Sequence, residues 1–75
     1  MKSKIDQYVI NKVKEKREAK ELSQADLAAE LGMSQGFIGM VESPNYPSHY
    51  NIQHLNHLAR IFGCSPQDFL PKKPL

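Results

Sequence analysis

The sequence predicts an all-α fold, a compact bundle of five helices, for three reasons. Apolar residues recur every three or four positions, which is the spacing that gathers them on one face of an α-helix. Serine, asparagine, proline and glycine stand between these segments, at the places where helices start and stop. No segment shows the sustained alternation of apolar and polar residues that is typical of a strand. The 75 residues fit one domain, 1–75, because a second core would have too little to bury.

The first predicted helix spans residues 5 to about 20. It contains no glycine or proline and is rich in lysine, glutamate and alanine, which favour helices. Ile5, Val9, Ile10 and Val13 form its narrow apolar stripe. Most basic residues lie in or near this helix: Lys2, Lys4, Lys12, Lys14, Lys16, Arg17 and Lys20. A basic helix predicts either a surface that lies along phosphates or a plain solvated face.

The second predicted helix, about 24–31, has clear start and stop signals. Ser23 is a predicted N-cap, and Asp26, three residues later, completes an acidic variant of the capping box. Gly32 stands where a helix commonly ends in the left-handed conformation. The predicted inward-facing residues are Leu27, Ala28 and Leu31.

The third predicted helix spans 34–42 and is capped by Ser34. A loop follows at 43–50, because this segment contains two prolines and several turn-forming residues. The fourth helix is capped by Asn51 and ends before Gly63. The inward-facing residues are Phe37, Ile38 and Val41 in the third helix and Ile52, Leu55, Leu58, Ala59 and Phe62 in the fourth.

A fifth helix of one or two turns is predicted after Ser65, which precedes a proline at the first helical position and an acid at the third. This helix is expected to carry Phe69 and Leu70 inward. Residues 71–75 contain two prolines, which cannot continue a helix, so we expect a frayed tail there.

Composition narrows the classes of function. The net charge is +2 at pH 7, and the hydrophobic fraction of 40% is ordinary for a globular domain. No apolar run approaches the roughly 20 residues of a membrane span. No apolar stretch follows the N-terminal lysines, as it would in a secretory signal. Cys64, the only cysteine, cannot form an internal disulfide, and we expect a cytoplasmic protein.

Neither a metal site nor a catalytic site is predicted. His54 and His57 are three residues apart, but no third ligand lies close to them in sequence, and His49 and Cys64 are more distant. Cys64 is expected to be a small buried residue. A nucleophilic Cys–His pair would need an oxyanion donor and a pocket, which a bundle of this size seldom provides. We therefore expect no enzyme, no metal and no cofactor.

Residues 24–42 carry the functional signal. Two short helices joined by a tight, glycine-containing turn are what a helix-turn-helix unit requires. Ala28 is small enough to let the helix axes approach, and Gly32 permits the turn. Ile38 and Val41 anchor the second of the two helices, which leaves its opposite face open to the major groove of DNA.

The order and spacing of these residues resemble those of the Xre family of phage-repressor and Cro-like regulators. The matching residues cover about 5–70 and are Arg17, Leu22-Ser23-Gln24, Leu27-Ala28, Leu31-Gly32, Ser34, Ile38, Glu42, Leu55, Leu58-Ala59 and Ser65-Pro66-Gln67-Asp68-Phe69-Leu70. The resemblance implies a five-helix bundle of the lambda-repressor-like DNA-binding type, with 34–42 as the recognition helix.

The resemblance also implies roles for single residues. Gln24 matches a phosphate-binding position, and a helix N-terminus that points at an anion gives that contact a physical reason. Gln35 matches a base-reading position, and glutamine can bond to both N6 and N7 of adenine. Arg17 and Glu42 match a partly buried salt bridge. Phosphate contacts are also expected from Arg17 and from Ser34.

The sequence departs from this family pattern in the third helix and in the loop. Gly36 and Gly39 stand where longer side chains are common, and a glycine lets the backbone approach DNA without reading a base by hydrogen bonding. Base contacts are therefore expected from the Gly36 backbone and from Phe37 and Met40, which can touch a thymine methyl group. The loop has no lysine or arginine, so its phosphate contacts are expected from Asn45, Tyr46, Ser48, His49 or Tyr50.

These observations predict a transcriptional regulator, most simply a repressor, that binds double-stranded DNA as a homodimer. The fifth helix and the tail are the expected dimer contact, and the expected operator is a pseudo-palindrome with half-sites about one helical turn apart. No membrane or small-molecule partner is expected. The alternative is a protein-interaction module, such as an antitoxin that neutralises a toxin, which the modest charge and the loop without basic residues favour.

Overall fold

The chain folds into four α-helices and one 3₁₀-helix, without a β-strand, in a computed structural model that describes residues 1–75. The α-helices are α1 (Lys4–Ala19), α2 (Gln24–Leu31), α3 (Gln35–Glu42) and α4 (Ile52–Phe62), and the 3₁₀-helix spans Pro66–Phe69. The predicted all-α class is therefore confirmed. None of the helices combines the length and the apolar character needed to cross a membrane.

The prediction of five helices is wrong, because the fifth is a single 3₁₀ turn of four residues and not an α-helix. Ser65 starts the turn as predicted: its Oγ accepts from the Gln67 N–H at 3.3 Å. Leu70 then has an extended backbone, with φ −105° and ψ 148°. The residue before a proline disfavours the α region, so Pro71 stops the turn before it can lengthen.

Hydrogen bonds at the helix ends confirm the other predicted boundaries to within a residue. The Ser23 Oγ accepts from the Asp26 N–H at 3.0 Å, and the Asp26 carboxylate accepts from the Ser23 N–H at 3.0 Å, which completes the capping box. Gly32 and Gly63 end α2 and α4 in the left-handed conformation, with φ of 74° and 68°. α1 starts at Lys4 because Ser3, which the sequence analysis did not identify, is its N-cap.

One apolar core holds the bundle together, and all four α-helices and the 3₁₀-helix contribute to it. Its buried residues are Val9, Ile10, Val13, Leu27, Ala28, Leu31, Ile38, Val41, Tyr50, Leu55, Leu58, Ala59 and Phe69. Tyr50 joins the core from the loop that precedes α4. Since Ile38 and Val41 are completely buried, one side of α3 is fixed against the core and the other side faces outward.

Three residues that were predicted to face inward are exposed instead. Ile5 and Ile52 lie in the first turns of α1 and α4, and Leu70 follows the 3₁₀-helix. Each of these positions lies at the end of an element, where the apolar stripe extends beyond the core. The exposed fraction is 77% for Ile52 and 39% for Leu70, so the surface near α4 keeps apolar side chains in contact with water.

Candidate nucleic-acid interface

α2 and α3 form a helix-turn-helix unit across the turn at residues 32–34. Gly32 supplies the left-handed residue, and the Met33 N–H donates to the Ala28 oxygen at 2.9 Å, which satisfies a carbonyl at the end of α2. The Ser34 Oγ accepts from the Phe37 N–H at 3.1 Å and so starts α3 at once. Ala28 is buried between the helices, as the sequence analysis expected.

The outer side of α3 is open. Gln35, Gly36 and Met40 are exposed, with 38% of Met40 accessible to solvent. Glu42 is the only charged residue of α3, and its side chain is turned away from solvent, with 4% exposed. The outer side of this helix therefore carries no acidic group that would repel a nucleic acid.

Phe37, a predicted base contact, has a different position from its neighbours on α3. Its ring is half-buried against Tyr50 and His54, with centroids 6.2 Å and 5.3 Å away. These contacts connect α3 to the loop and to α4. Aromatic pairs at such distances stabilise a packed interface. Phe37 therefore packs α3 against the loop and α4, and it is poorly placed to reach a base.

A buried polar cluster lies at the C-terminal end of α3. The Arg17 Nε and Nη2 donate to the two oxygens of Glu42, each at 2.9 Å, and the Gln24 Nε2 donates to Glu42 Oε1 at 3.1 Å. The Arg17 Nη1 donates to the Leu22 oxygen at 2.7 Å. Hydrogen bonding to Glu42 raises the pKa of Arg17, so the guanidinium stays charged.

This cluster changes the roles expected of Arg17 and Gln24. Arg17 is buried behind Glu42, which argues against the expected phosphate contact. The side-chain amide of Gln24 donates to Glu42, so the backbone N–H groups at the start of α2 are the better phosphate donors there. Asp26 is exposed at the same helix end, and hydrogen bonds from the Ser23 backbone and side chain lower its pKa. The carboxylate is therefore ionised beside the expected phosphate.

The loop at 43–50 offers fewer contacts than the sequence suggested. Asn45, Tyr46 and His49 are exposed, and Ser48 is half-buried. Tyr50 is buried and its hydroxyl has no hydrogen-bond partner, which is inconsistent with the expected phosphate contact. Desolvation raises the pKa of the Tyr50 hydroxyl, which stays protonated.

Three lysines in α1 or directly after it contact the protein itself. Lys12 lies 3.6 Å from Glu15 and over the ring of Tyr8, Lys16 lies over the ring of Phe69, and the Lys20 Nζ donates to the Ile61 oxygen at 3.3 Å. The ammonium groups of these three lysines are thus engaged in contacts within the domain. Histidine, cysteine and acidic side chains form no group of three that could hold a metal ion, and Cys64 packs beside the core.

One further residue, Lys2, acts on α3 and was not predicted from the sequence. Its Nζ donates to the backbone oxygens of Val41 at 2.6 Å, of Met40 at 3.3 Å and of Ser43. The signal that could have revealed a distant partner is the end of α3 itself, which has no glycine and no basic residue of its own. The position of that partner, about 40 residues earlier, has no local signature.

Comparison with known proteins identifies the class of this fold. A helix-turn-helix family profile matches residues 13–69, most of the chain and the whole of the α2–α3 unit. The chain therefore belongs to the helix-turn-helix family, and this membership indicates DNA binding. No curated protein sequence matches the chain.

Solved structures of an epoxidase share the fold. Hydroxypropylphosphonic acid epoxidase from S. wedmorenis in complex with fosfomycin is 20% identical, with a TM-score of 0.75 over 92% of this chain and 36% of that chain. A second crystal structure, of the cobalt(II) form of the protein abbreviated HppE in complex with Tris buffer, is 20% identical, with a TM-score of 0.76 over 92% of this chain and 38% of that chain. The chain spans about a third of the length of these proteins, and at such identity the likeness extends to the fold alone.

Proposed function

We propose that the chain is a transcriptional repressor of the Xre type that binds duplex DNA in a sequence-dependent way, with α3 in the major groove. The outer side of α3 is the observation that carries this proposal. It is open, it bears no acidic side chain, and its opposite side is fixed by Ile38 and Val41. The major groove is wide enough to admit one α-helix presented in this manner.

Base reading is assigned to the three exposed positions of α3. Gln35 lies in the first turn of α3, where its carboxamide can donate to N7 and accept from N6 of an adenine. Met40 supplies an apolar group for a thymine methyl. Gly36 is exposed and has no side chain, so the helix backbone can come close to the base edges there.

Phosphate contacts are assigned to backbone donors and small polar side chains. The N-termini of α2 and α3 present N–H groups and a partial positive charge, which suit an anion. Ser34 lies at the start of α3, and Asn45, Tyr46 and Ser48 extend this surface along the loop. A contact set of this kind gives a weaker salt dependence than one built from lysine and arginine, because few counterions are displaced by side-chain charges.

We also propose a homodimer that uses a groove between α4 and the 3₁₀-helix. The groove has a volume of about 540 Å³, and Ile52, Leu55, Pro66 and Leu70 form its apolar walls. A second copy that covers Ile52 and Leu70 would remove two exposed apolar side chains from water. Dimeric helix-turn-helix proteins bind half-sites about one helical turn apart, and we propose the same spacing for this chain.

The same groove favours a second candidate function, a cytoplasmic protein-interaction module such as a toxin-neutralising antitoxin. Ile52 and Leu70 expose apolar surface in one groove, and exposed apolar surface is typical of a protein-binding site. The absence of lysine and arginine from α3 and from the loop also favours this candidate. Neither proposed function assigns catalysis to the chain.

Selection of bound sequences from a random duplex pool tests the proposal. At about 0.05 M and about 0.2 M salt, a sequence-reading protein enriches the same motif, while the overall affinity falls. Light scattering of the free protein and of the complex gives the number of copies. A repressor of this type enriches a motif with two-fold symmetry and binds it as a dimer. Failure to enrich any motif would leave the protein-interaction module as the better candidate.

A further inference from the structure

The C-terminal end of α3 lacks the local features that stabilise the other helix ends. α1 has Lys16 and Arg17 in its last turn, whereas α2 and α4 end in the left-handed glycines Gly32 and Gly63. α3 ends at Ser43 in an extended conformation, with no basic residue in its last turn. The final carbonyl groups of a helix have no partner within the helix and carry a partial negative charge. The end of α3 therefore depends on a group from elsewhere in the chain.

Lys2 provides that group. Its ammonium donates to Met40, Val41 and Ser43, three carbonyl groups at the end of α3. The backbone beside Lys2 is held by the N-cap of α1, since the Ser3 Oγ accepts from the Asp6 N–H at 3.1 Å and the Ser3 oxygen accepts from the Gln7 N–H at 3.0 Å. The lysine thus connects the start of α1 with the end of α3.

The need for this contact is greatest in α3, because the helix is short and contains two glycines. It has eight residues, and each interior glycine weakens a helix by roughly 0.5–1 kcal/mol relative to alanine. Isolated helices of this length do not form in water, so their stability comes from tertiary contacts. Ile38 and Val41 hold one side of α3, while Lys2 is bound to its end.

We infer that Lys2 is a positioning residue for DNA recognition: it fixes the last turn of α3 relative to α1 and does not itself touch DNA. This inference rests on the proposed function, because α3 is the element that reads the groove. It adds a residue outside the helix-turn-helix unit to those that determine how α3 is presented.

Comparison of Lys2→Met with Lys4→Met tests the inference. Both variants lose one positive charge near the start of α1, but the Lys4 side chain is exposed and makes no hydrogen bond or ion pair. We expect Lys2→Met to lower the affinity for the selected duplex by roughly 2- to 10-fold, and Lys4→Met to leave it nearly unchanged. Lys2→Arg keeps a charge and several donors, so its affinity should lie between those of Lys2→Met and the wild type.

Two further measurements distinguish positioning from a direct contact and from general destabilisation. The slope of log affinity against log salt concentration should be the same for Lys2→Met and the wild type. Loss of a phosphate contact would instead reduce the magnitude of this slope by about 0.9. Hydrogen exchange of the Ser43 amide, which donates to Met40 at 3.3 Å, should become faster while that of core amides stays the same.

Equal affinities of Lys2→Met and Lys4→Met, a reduced salt slope, or unchanged Ser43 exchange would each overturn the inference. Exchange is measured without DNA, so it reports on the Lys2 contact even if the wild-type protein binds no duplex. In that case the proposed function fails first, and the role of Lys2 in DNA recognition fails with it, while accelerated exchange would still demonstrate the structural contact.

Discussion

The guanidinium of Arg17 and the carboxylate of Glu42 form a two-point ion pair between the last turn of α1 and the last residue of α3. Both N–O distances are 2.9 Å, and 10% and 4% of the two side chains are exposed. Gln24 from α2 donates to the same carboxylate. One acidic group therefore joins three helices directly behind the proposed reading surface.

Loss of Arg17 should destabilise the domain strongly. Arg17→Met leaves the buried Glu42 carboxylate without its cation, and breaking a buried pair in this way costs about 3–5 kcal/mol. We expect this loss in the free energy of unfolding, measured in urea. Lys12→Met is the matched control, because its pair with Glu15 is exposed and contributes about 0–1 kcal/mol. Similar small losses in both variants would show that the pair with Glu42 is not an important restraint.

Alanine at Gly36 should separate stability from DNA binding. A Cβ atom at this position would lie 3.9 Å from the Ser34 Oγ, so the folded protein has room for it. Gly36→Ala should raise the free energy of unfolding by roughly 0.5–1 kcal/mol, because alanine favours the helix. If the backbone approaches bases there, the same variant binds the selected duplex more weakly.

Gly39→Ala is the comparison variant for that measurement. Its Cβ atom would contact Gln24 Oε1 at 3.6 Å, an ordinary packing distance, so it stabilises α3 from a position that faces the protein. We expect a smaller effect on affinity than at Gly36. A Gly36→Ala variant that is more stable and binds DNA as well as the wild type would exclude close approach of the backbone.

Removal of the charge on Asp26 should strengthen binding to any duplex. The Asp26 carboxylate lies exposed at the N-terminus of α2, where the proposed phosphate binds, and its lowered pKa keeps it ionised. Asp26→Asn keeps an oxygen to accept from the Ser23 N–H and removes the repulsion. We expect affinity to rise by about 2- to 5-fold for selected and random duplexes alike.

Glu30→Gln provides the control for Asp26→Asn. It makes the same change in charge on the same helix, four residues and about 6 Å farther along the axis. Fluorescence anisotropy with labelled duplexes measures both variants. An equal rise in the two affinities would indicate a general charge effect and would place no phosphate at the start of α2.

The stability of the domain should fall as the pH falls below about 6.5, in part because of His54. Burial, then the charges of His49 and His57, lower the pKa of His54 in the folded state from its ordinary value of 6.5. The unfolded chain therefore takes up this proton first. The Asn51 N–H donates to His54 Nδ1 at 3.0 Å, and protonation of that atom breaks the capping box of α4.

His54→Gln should make the pH profile flatter, because glutamine can accept the same bond and does not titrate. Unfolding in urea at about pH 7.5 and about pH 5 measures the difference. His57→Gln, on the same helix but outside the capping box, should keep most of the decline, because burial is the largest cause of the lowered pKa of His54 and His57 the smallest of the three. A profile for His54→Gln as steep as that of the wild type would assign the decline to other groups.

Local signals predicted most of the fold. Ser23, Ser34, Asn51 and Gly32 act within a few residues of themselves, so their positions in the sequence identify the helix ends. The fifth element was predicted as a helix of one or two turns, and it is a single 3₁₀ turn because Pro71, just beyond it, restricts Leu70.

The surroundings of the candidate site could be predicted only in part, because they depend on contacts between distant segments. Arg17 was expected to reach a phosphate, but its burial depends on the packing of α1 against α3. Lys2 and Tyr50 had no local signature, since their partners lie far along the chain. Periodicity identifies the side of a helix that is buried, and it does not identify which polar group crosses to the next helix.

Binding of Gln35→Ala to the selected duplex and to a random duplex tests the central claim most directly. Glutamine that bonds to an adenine contributes about 1–3 kcal/mol of discrimination, so the variant should lose roughly 5- to 150-fold in affinity for the selected duplex. Its affinity for the random duplex should hardly change, because the backbone and side-chain contacts to phosphates are intact. Equal losses of Gln35→Ala on the two duplexes would contradict the claim that α3 reads DNA sequence.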